Sequence, residues 1–180
     1  MRDDRDLWAP ALGLTVPLAL PGAELSAAPL TRQTLISGVS ASAMVEPSTG
    51  WPDIVDTNSY RLSLRLDRIV EINSEARAEG WDASRQQAIS DVTHGYAVFQ
   101  LTGPNALGIL KRGTEISLNT PSRSVARMLF GLDVWLYRFG AEDAFRLHVP
   151  RAFGEAMIAH LTRAAHLSQT GSTPEDAPFP

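Results

Sequence analysis

Cysteine is absent from the 180 residues, which excludes a disulfide framework, a thiol nucleophile and a cysteine-ligated metal. Histidine is sparse. His94, His148, His160 and His166 form no H-x-x-x-H pair, so the usual spacing of a zinc site is missing. Lysine is reduced to Lys111, the other fifteen basic residues being arginine. There is no basic block, and the formal charge is -4. Both argue against sequence-independent binding of nucleic acid, which relies on clustered cations. The arginine bias is accounted for by GC-rich coding or by the interface preference of a planar guanidinium. Long apolar runs are missing too. The segment "APALGLTVPLALPGAELSAAPL" is interrupted by Pro17, Pro21 and Pro29 and falls short of the roughly 18 residues of a membrane helix. The start, "MRDDRD", is acidic, unlike the basic n-region of a secretory signal. The expectation is a cytoplasmic protein that engages neither membrane nor nucleic acid.

What is present suffices for a core. Apolar residues make up 44% of the chain, enough for one domain or two small lobes. Residues 1–30 read as an extended Ala/Leu/Pro arm, because proline disfavours helix interiors and central strands. Residues 31–168 read as a single α+β domain, with lobes of about 31–88 and 89–168. The polar, proline-bearing 169–180 reads as a flexible tail. Within the first lobe, 34–45 is expected to be a strand and 46–59 a loop. In "YRLSLRL" (60–66), Tyr60, Leu62, Leu64 and Leu66 alternate with Arg61, Ser63 and Arg65, as in a half-buried strand. Residues 68–79 are expected to form a short helix ending at Gly80, and Asp82 or Ser84 to cap a helical turn.

The second lobe is more regular. "YAVFQL" (96–101) is a strand, and Gly103-Pro104 opens a helix ending at Gly113, since proline suits a first helical turn. Strands follow at 124–130, 132–139 and 144–149, the last with Phe145, Leu147 and Val149 inward and Arg146 and His148 outward. A final helix runs from about Arg151 to Leu167, with Phe153, Met157, Ile158, Leu161 and Ala165 on its inner face. The order β-α-β-β-β-α implies antiparallel sheet with helices packed on one face.

Candidate chemistry centres on "DVTH". Asp91, Thr93 and His94 have the residue types of an acid–base site, but no Gly-x-Ser-x-Gly elbow accompanies them. The alternative is a structural corner in which Asp91 or Thr93 ties down a turn. "LTGPNALG" lacks the G-K-[ST] ending of a phosphate loop, and Pro104 removes an amide donor, so Gly103-Pro104 reads as a helix start. The strand at 132–139 has large residues on both faces. Trp135 and Tyr137 therefore meet either a second lobe or another subunit. Trp51 is an exposed-anchor candidate, and Arg146 and His148 face either an acidic partner or solvent.

The segments "DVTHGYAVFQLTGPNALGILKRGTEISL", "SVARMLFGLDVWLYRF" and "AFRLHVPRAFGEAMIAHL" have an order and spacing that resemble the gamma subunit of heterotetrameric sarcosine oxidase. That family is similar to the folate-binding domain of aminomethyltransferases, whose Asp-Leu-Ser-His corner "DVTH" mirrors. The resemblance implies an aminomethyltransferase folate-binding-domain-like fold. In place of the Asn-Asp step that carries the catalytic aspartate there, this chain has "RGTEISL", with Glu115 nearby. The resemblance implies an architectural subunit with no active site of its own, partnered with alpha, beta and delta subunits and chiefly the large alpha subunit. The implied complex uses FAD, FMN, NAD and tetrahydrofolate, none of them bound by this chain alone, to demethylate sarcosine or a related N-methyl amino acid. Other expectations are a stand-alone folate-binding or aminomethyl-transfer protein and an assembly factor of the same fold.

Overall fold

The computed structural model describes residues 16–39, 41 and 48–170, with side chains described up to 168. Among them are twelve strands: β1 (Leu18–Leu20), β2 (Ala23–Ala27), β3 (Gln33–Gly38), β4 (Ile54–Val55), β5 (Tyr60–Arg65), β6 (Arg68–Ile72), β7 (Gly80–Asp82), β8 (Gln87–Asp91), β9 (Tyr96–Thr102), β10 (Ala126–Leu129), β11 (Leu132–Phe139) and β12 (Ala144–Pro150). Helix α1 spans Ala106–Lys111, and α2 spans Gly154–Thr170 after a 3-10 turn at Arg151–Phe153. Seven strands form one sheet in the order β1-β2-β9-β12-β11-β10, with β4 pairing β11. That pairing is parallel and the others are antiparallel. The other sheet, β5-β6-β3-β8-β7, is antiparallel throughout. The α+β architecture with antiparallel sheets and helices on one face agrees with the sequence reading.

The larger sheet is buried on both faces. On one face, Phe99, Leu101, Val134, Leu136, Phe145 and Leu147 pack with Ile109 and Leu110 of α1 and Met157, Leu161 and Ala165 of α2. On the other, Trp135 and Tyr137 pack with Tyr60, Leu62, Val70 and Ile72 of the smaller sheet. Of the two readings of the Trp135 strand, the second lobe is the one observed: a sheet of the same chain covers that face.

Several expectations are corrected. Residues 1–15 lie outside the described residues, but from Leu18 the supposed arm is a hairpin. Pro21 and Gly22 (φ +70°) make its turn, and β2 pairs with β9. Proline followed by a left-handed glycine is the residue choice of a type II turn. The expected helix at 68–79 is strand β6, whose Ile69, Val70 and Ile72 are β-branched and fit a pleated, packed surface. Asp82 does stop a turn, but as an Asx turn: its Oδ1 accepts from Ser84 N (3.0 Å) and Arg85 N (3.2 Å) between β7 and β8. Strand β8 crosses the proposed 88/89 lobe boundary, and the change of sheet comes at the Val92–Gly95 corner. Leu66 is exposed in the β5–β6 turn because the register shifts after Ser63. Phe153 also lies outside the α2 core, at 46% exposure. The end of the expected 34–45 strand and most of the tail fall outside the described residues.

Candidate functional site

The Asp91 corner is a closed turn. Asp91 Oδ1 accepts from Thr93 N at 2.8 Å. Thr93 in turn ties the corner to β3: its Oγ1 accepts from Gln33 N (2.9 Å), and its carbonyl accepts from Gln33 Nε2 (3.2 Å). Partial burial works to raise the Asp91 pKa. The Thr93 hydrogen bonds and the charges of Arg32 and His94 outweigh it and hold the carboxyl below its usual range. His94 is exposed beside this turn. The other end of β9 is the Gly103-Pro104 corner. Gly103 has φ +117°, and a Cβ there would lie 2.9 Å from Gly22 O. Asn105 donates from its backbone to Gly22 O (2.9 Å) and from Nδ2 to Pro21 O (3.0 Å), locking the start of α1 onto the first hairpin.

From Gln33 a chain of polar groups runs between the sheets. Because Gln33 Nε2 donates to Thr93, its Oε1 is the acceptor facing His148 Nδ1 at 2.7 Å. His148 therefore carries its proton on Nδ1, and Nε2 accepts from Tyr137 OH at 2.8 Å. Tyr137 OH accepts from Tyr60 OH at 2.7 Å, and Tyr60 OH accepts from Arg146 Nη1 at 3.1 Å. Arg146 Nε donates to Gln100 Oε1 (3.2 Å), and its guanidinium carbon sits 3.2 Å from the centroid of the Phe139 ring. Every donor in the main run, from Arg146 to Thr93 O, points the same way.

The electrostatics agree with this direction. Burial, together with the nearby Arg146 charge, lowers the His148 pKa to about 3, so the imidazole is neutral. Burial and the adjacent Tyr60 hydroxyl push the Tyr137 hydroxyl well above its ordinary range, so it stays protonated. Both His148 nitrogens are committed, and among the described residues no carboxylate joins the run. The arrangement can clamp two sheets in register, but it presents no base to a substrate.

The interface candidates therefore sit elsewhere than expected. Trp51 is 2% exposed, with Nε1 donating to Ser117 O (2.6 Å) and its ring stacked on Phe145, so it is not an exposed anchor. Trp135, Tyr137 and His148 are enclosed by the smaller sheet, Tyr96 lying over Trp135 at 4.1 Å, and Arg146 is half-buried against the same sheet. Their outward alternation holds, and the outward face packs against residues 33–91 of the same chain. Exposed apolar side chains are found instead at Val39, Leu66, Trp81 and Met128. Gln33 and Tyr60, which complete the polar run, were not among the sequence candidates. The signal for Tyr60 is its place on the apolar face of β5, and Gln33 has none in local sequence.

A second polar cluster lies on the outer face of the smaller sheet. Glu71, 1% exposed, accepts from Arg61 Nε (2.9 Å), Arg77 Nε (2.7 Å) and Arg77 Nη2 (2.8 Å). Burial raises its pKa, but Arg77 and Arg61 overcome that and lower it on balance. Among the described residues no cluster of three or more His, Asp or Glu is placed to hold a metal, and no helix is long and apolar enough to cross a membrane.

Comparison with solved structures finds this fold again. The chain matches one in heterotetrameric sarcosine oxidase from Corynebacterium sp. U-96, determined in complex with pyrrole 2-carboxylate, with a TM-score of 0.62 and 19% identity. The match covers 89% of this chain and 90% of that one. No protein-family model and no curated protein matches the sequence.

Proposed function

We propose that this chain is a non-catalytic, gamma-type subunit of a flavin-dependent, tetrahydrofolate-linked complex that oxidatively demethylates sarcosine or a related N-methyl amino acid. The observation that carries this reading is the fold shared nearly end to end with a chain of a heterotetrameric sarcosine oxidase. The chemistry of the chain's own residues is consistent with an architectural role. Asp91 and Thr93 are spent on a turn, with His94 exposed beside it, and the polar groups of the inter-sheet run are spent on a one-way hydrogen-bond chain. Trp135, Tyr137, His148 and Leu62 fill the layer between the sheets, which does not fit a planar flavin or pterin there. In this reading alpha, beta and delta partners carry FAD, FMN, NAD and tetrahydrofolate, and the exposed Val39, Leu66, Trp81 and Met128 are available for docking.

Isolation of the tagged chain from its own host tests the proposal. Larger, flavin-absorbing proteins are expected to co-purify in fixed proportion. A chain that is recovered alone as a well-dispersed monomer and demethylates an N-methyl amine unaided would overturn it. The "DVTH" likeness favours a second reading, a stand-alone folate-binding or aminomethyl-transfer protein. Titration of the isolated chain with a reduced folate separates the two, since only the second expects saturable binding lost on replacing Asp91 or His94.

A further inference from the structure

Beside the outer edge of β5, where Thr49 bridges to Leu62, lies a cavity of about 490 Å³, lined by Ser48, Thr49, Asp53, Thr57, Ser59 and Arg61, together with Tyr60 and Ser74. Its size falls within the range of small-molecule sites. Its lining is unusual for this protein, being made of hydroxyls and one charge of each sign.

The cation is held in place from behind. Among the described residues the Arg61 side chain bonds only through its Nε, to Glu71 Oε1 at 2.9 Å, and its two η-nitrogens have no partner there. Glu71 is itself immobilised, 1% exposed and gripped by two bonds from Arg77. A guanidinium whose Nε is pinned to a buried, doubly bonded carboxylate presents its outer edge in a fixed orientation. That edge is the fork that matches a carboxylate by two parallel hydrogen bonds. A second arginine on Glu71 leaves the Arg61–Glu71–Arg77 group with one net positive charge, so the Arg61 fork is not neutralised by the carboxylate that positions it. Asp53 supplies the opposite charge. Its Oδ2 accepts from Gly50 N (3.3 Å), and Oδ1 has no partner among the described residues. A simple anion would gain Arg61 but meet Asp53, and a simple cation the reverse. A molecule with both charges a few bonds apart satisfies both, and the surrounding hydroxyls can take its remaining donors and acceptors.

We infer that this cavity is a binding site for a small zwitterionic amino acid, its carboxylate on the η-nitrogens of Arg61 and its ammonium on Asp53. The site lies on the β5 edge, its charged groups Arg61 and Asp53 are not members of the inter-sheet polar run, and it does not depend on the assembly proposed above.

Calorimetric titration of the isolated full chain with glycine, acetate and methylamine tests it. Glycine is expected to bind saturably and at least about tenfold more tightly than either half-ligand, the effect of one additional charge-assisted contact. Asp53→Asn, an isosteric change at an exposed residue, is expected to reduce glycine to the affinity of acetate. Arg61→Gln is expected to abolish binding of both, with circular dichroism reporting whether the fold survives loss of one Glu71 partner. Absence of saturable heat with all three probes overturns the assignment. So does equal binding of glycine and acetate, or glycine affinity untouched by Asp53→Asn in a folded chain.

Discussion

The two faces of the seven-stranded sheet are buried by different means. Toward the helices the contact is apolar: Phe99, Leu101, Leu136, Phe145 and Leu147 meet Ile109, Leu110, Met157 and Leu161, all at 0–1% exposure. Toward the smaller sheet the contact mixes aromatics with Gln33, His148, Tyr137, Tyr60 and Arg146 in a directional run. Apolar packing is non-directional and tolerates sliding until volumes clash. A hydrogen-bond run of fixed polarity does not, because a shift of one residue turns each partner to the other face. The helix face thus supplies bulk stability, and the inter-sheet face specifies which rows of the two sheets meet.

The largest expected effect breaks the first face. Phe145→Ala removes a fully buried ring stacked on Trp51 and should destabilise the chain by about 3–5 kcal/mol in urea unfolding, through transfer and cavity terms. The second face is sharpened by pH. His148 titrates near 6.5 when unfolded and at about 3 when folded, so the folded state excludes its proton. Its contribution is fully present above pH 6.5 and is lost as pH falls from 6.5 toward 3, by an amount on the order of a few kcal/mol. His148→Gln, which keeps a donor and an acceptor without a titratable group, should flatten stability between pH 6.5 and 4.5. Glu71 loses its share only at lower pH, because its pKa is depressed below 4.5. A wild-type slope that persists unchanged in the variant would separate His148 from the acid sensitivity.

The order of elements after Tyr96 was legible because each rests on local pattern: alternation in β9 and β12, Gly103-Pro104 before α1, and helical spacing at Met157, Leu161 and Ala165. The first hairpin is hidden because proline breaks helices and strands, yet Pro21-Gly22 between "LAL" and "AEL" is also a turn. Strand β6 is not legible in sequence because "RIVEI" is too short for its period to separate strand from helix. The candidate site shows a deeper limit. Alternation in "AFRLHV" placed Arg146 and His148 together on one face, but what covers that face is set by a sheet more than fifty residues earlier in the chain. No local window reports that contact, so a buried His148 paired with Gln33, 115 positions away, reads as a surface residue.

Smaller effects distinguish the run from the corner that feeds it. Tyr137→Phe keeps the ring and its packing but leaves His148 Nε2 without a donor and the Tyr60 hydroxyl without its acceptor, and should cost at least about 1–3 kcal/mol, the penalty of an unsatisfied buried polar atom. Thr93→Val removes the hydroxyl that accepts from Gln33 N and should cost about 1 kcal/mol, because Gln33 Nε2 still reaches the residue 93 carbonyl. His94→Ala should change stability by less than about 0.5 kcal/mol, since the imidazole is exposed and its backbone turn is closed by Asp91 and Thr93. Thermal unfolding of the three variants in one buffer therefore ranks Tyr137 above Thr93 above His94. A large loss at His94, with Thr93→Val neutral, would reverse the reading of "DVTH": the corner would be held by its imidazole and not by its carboxylate and hydroxyl.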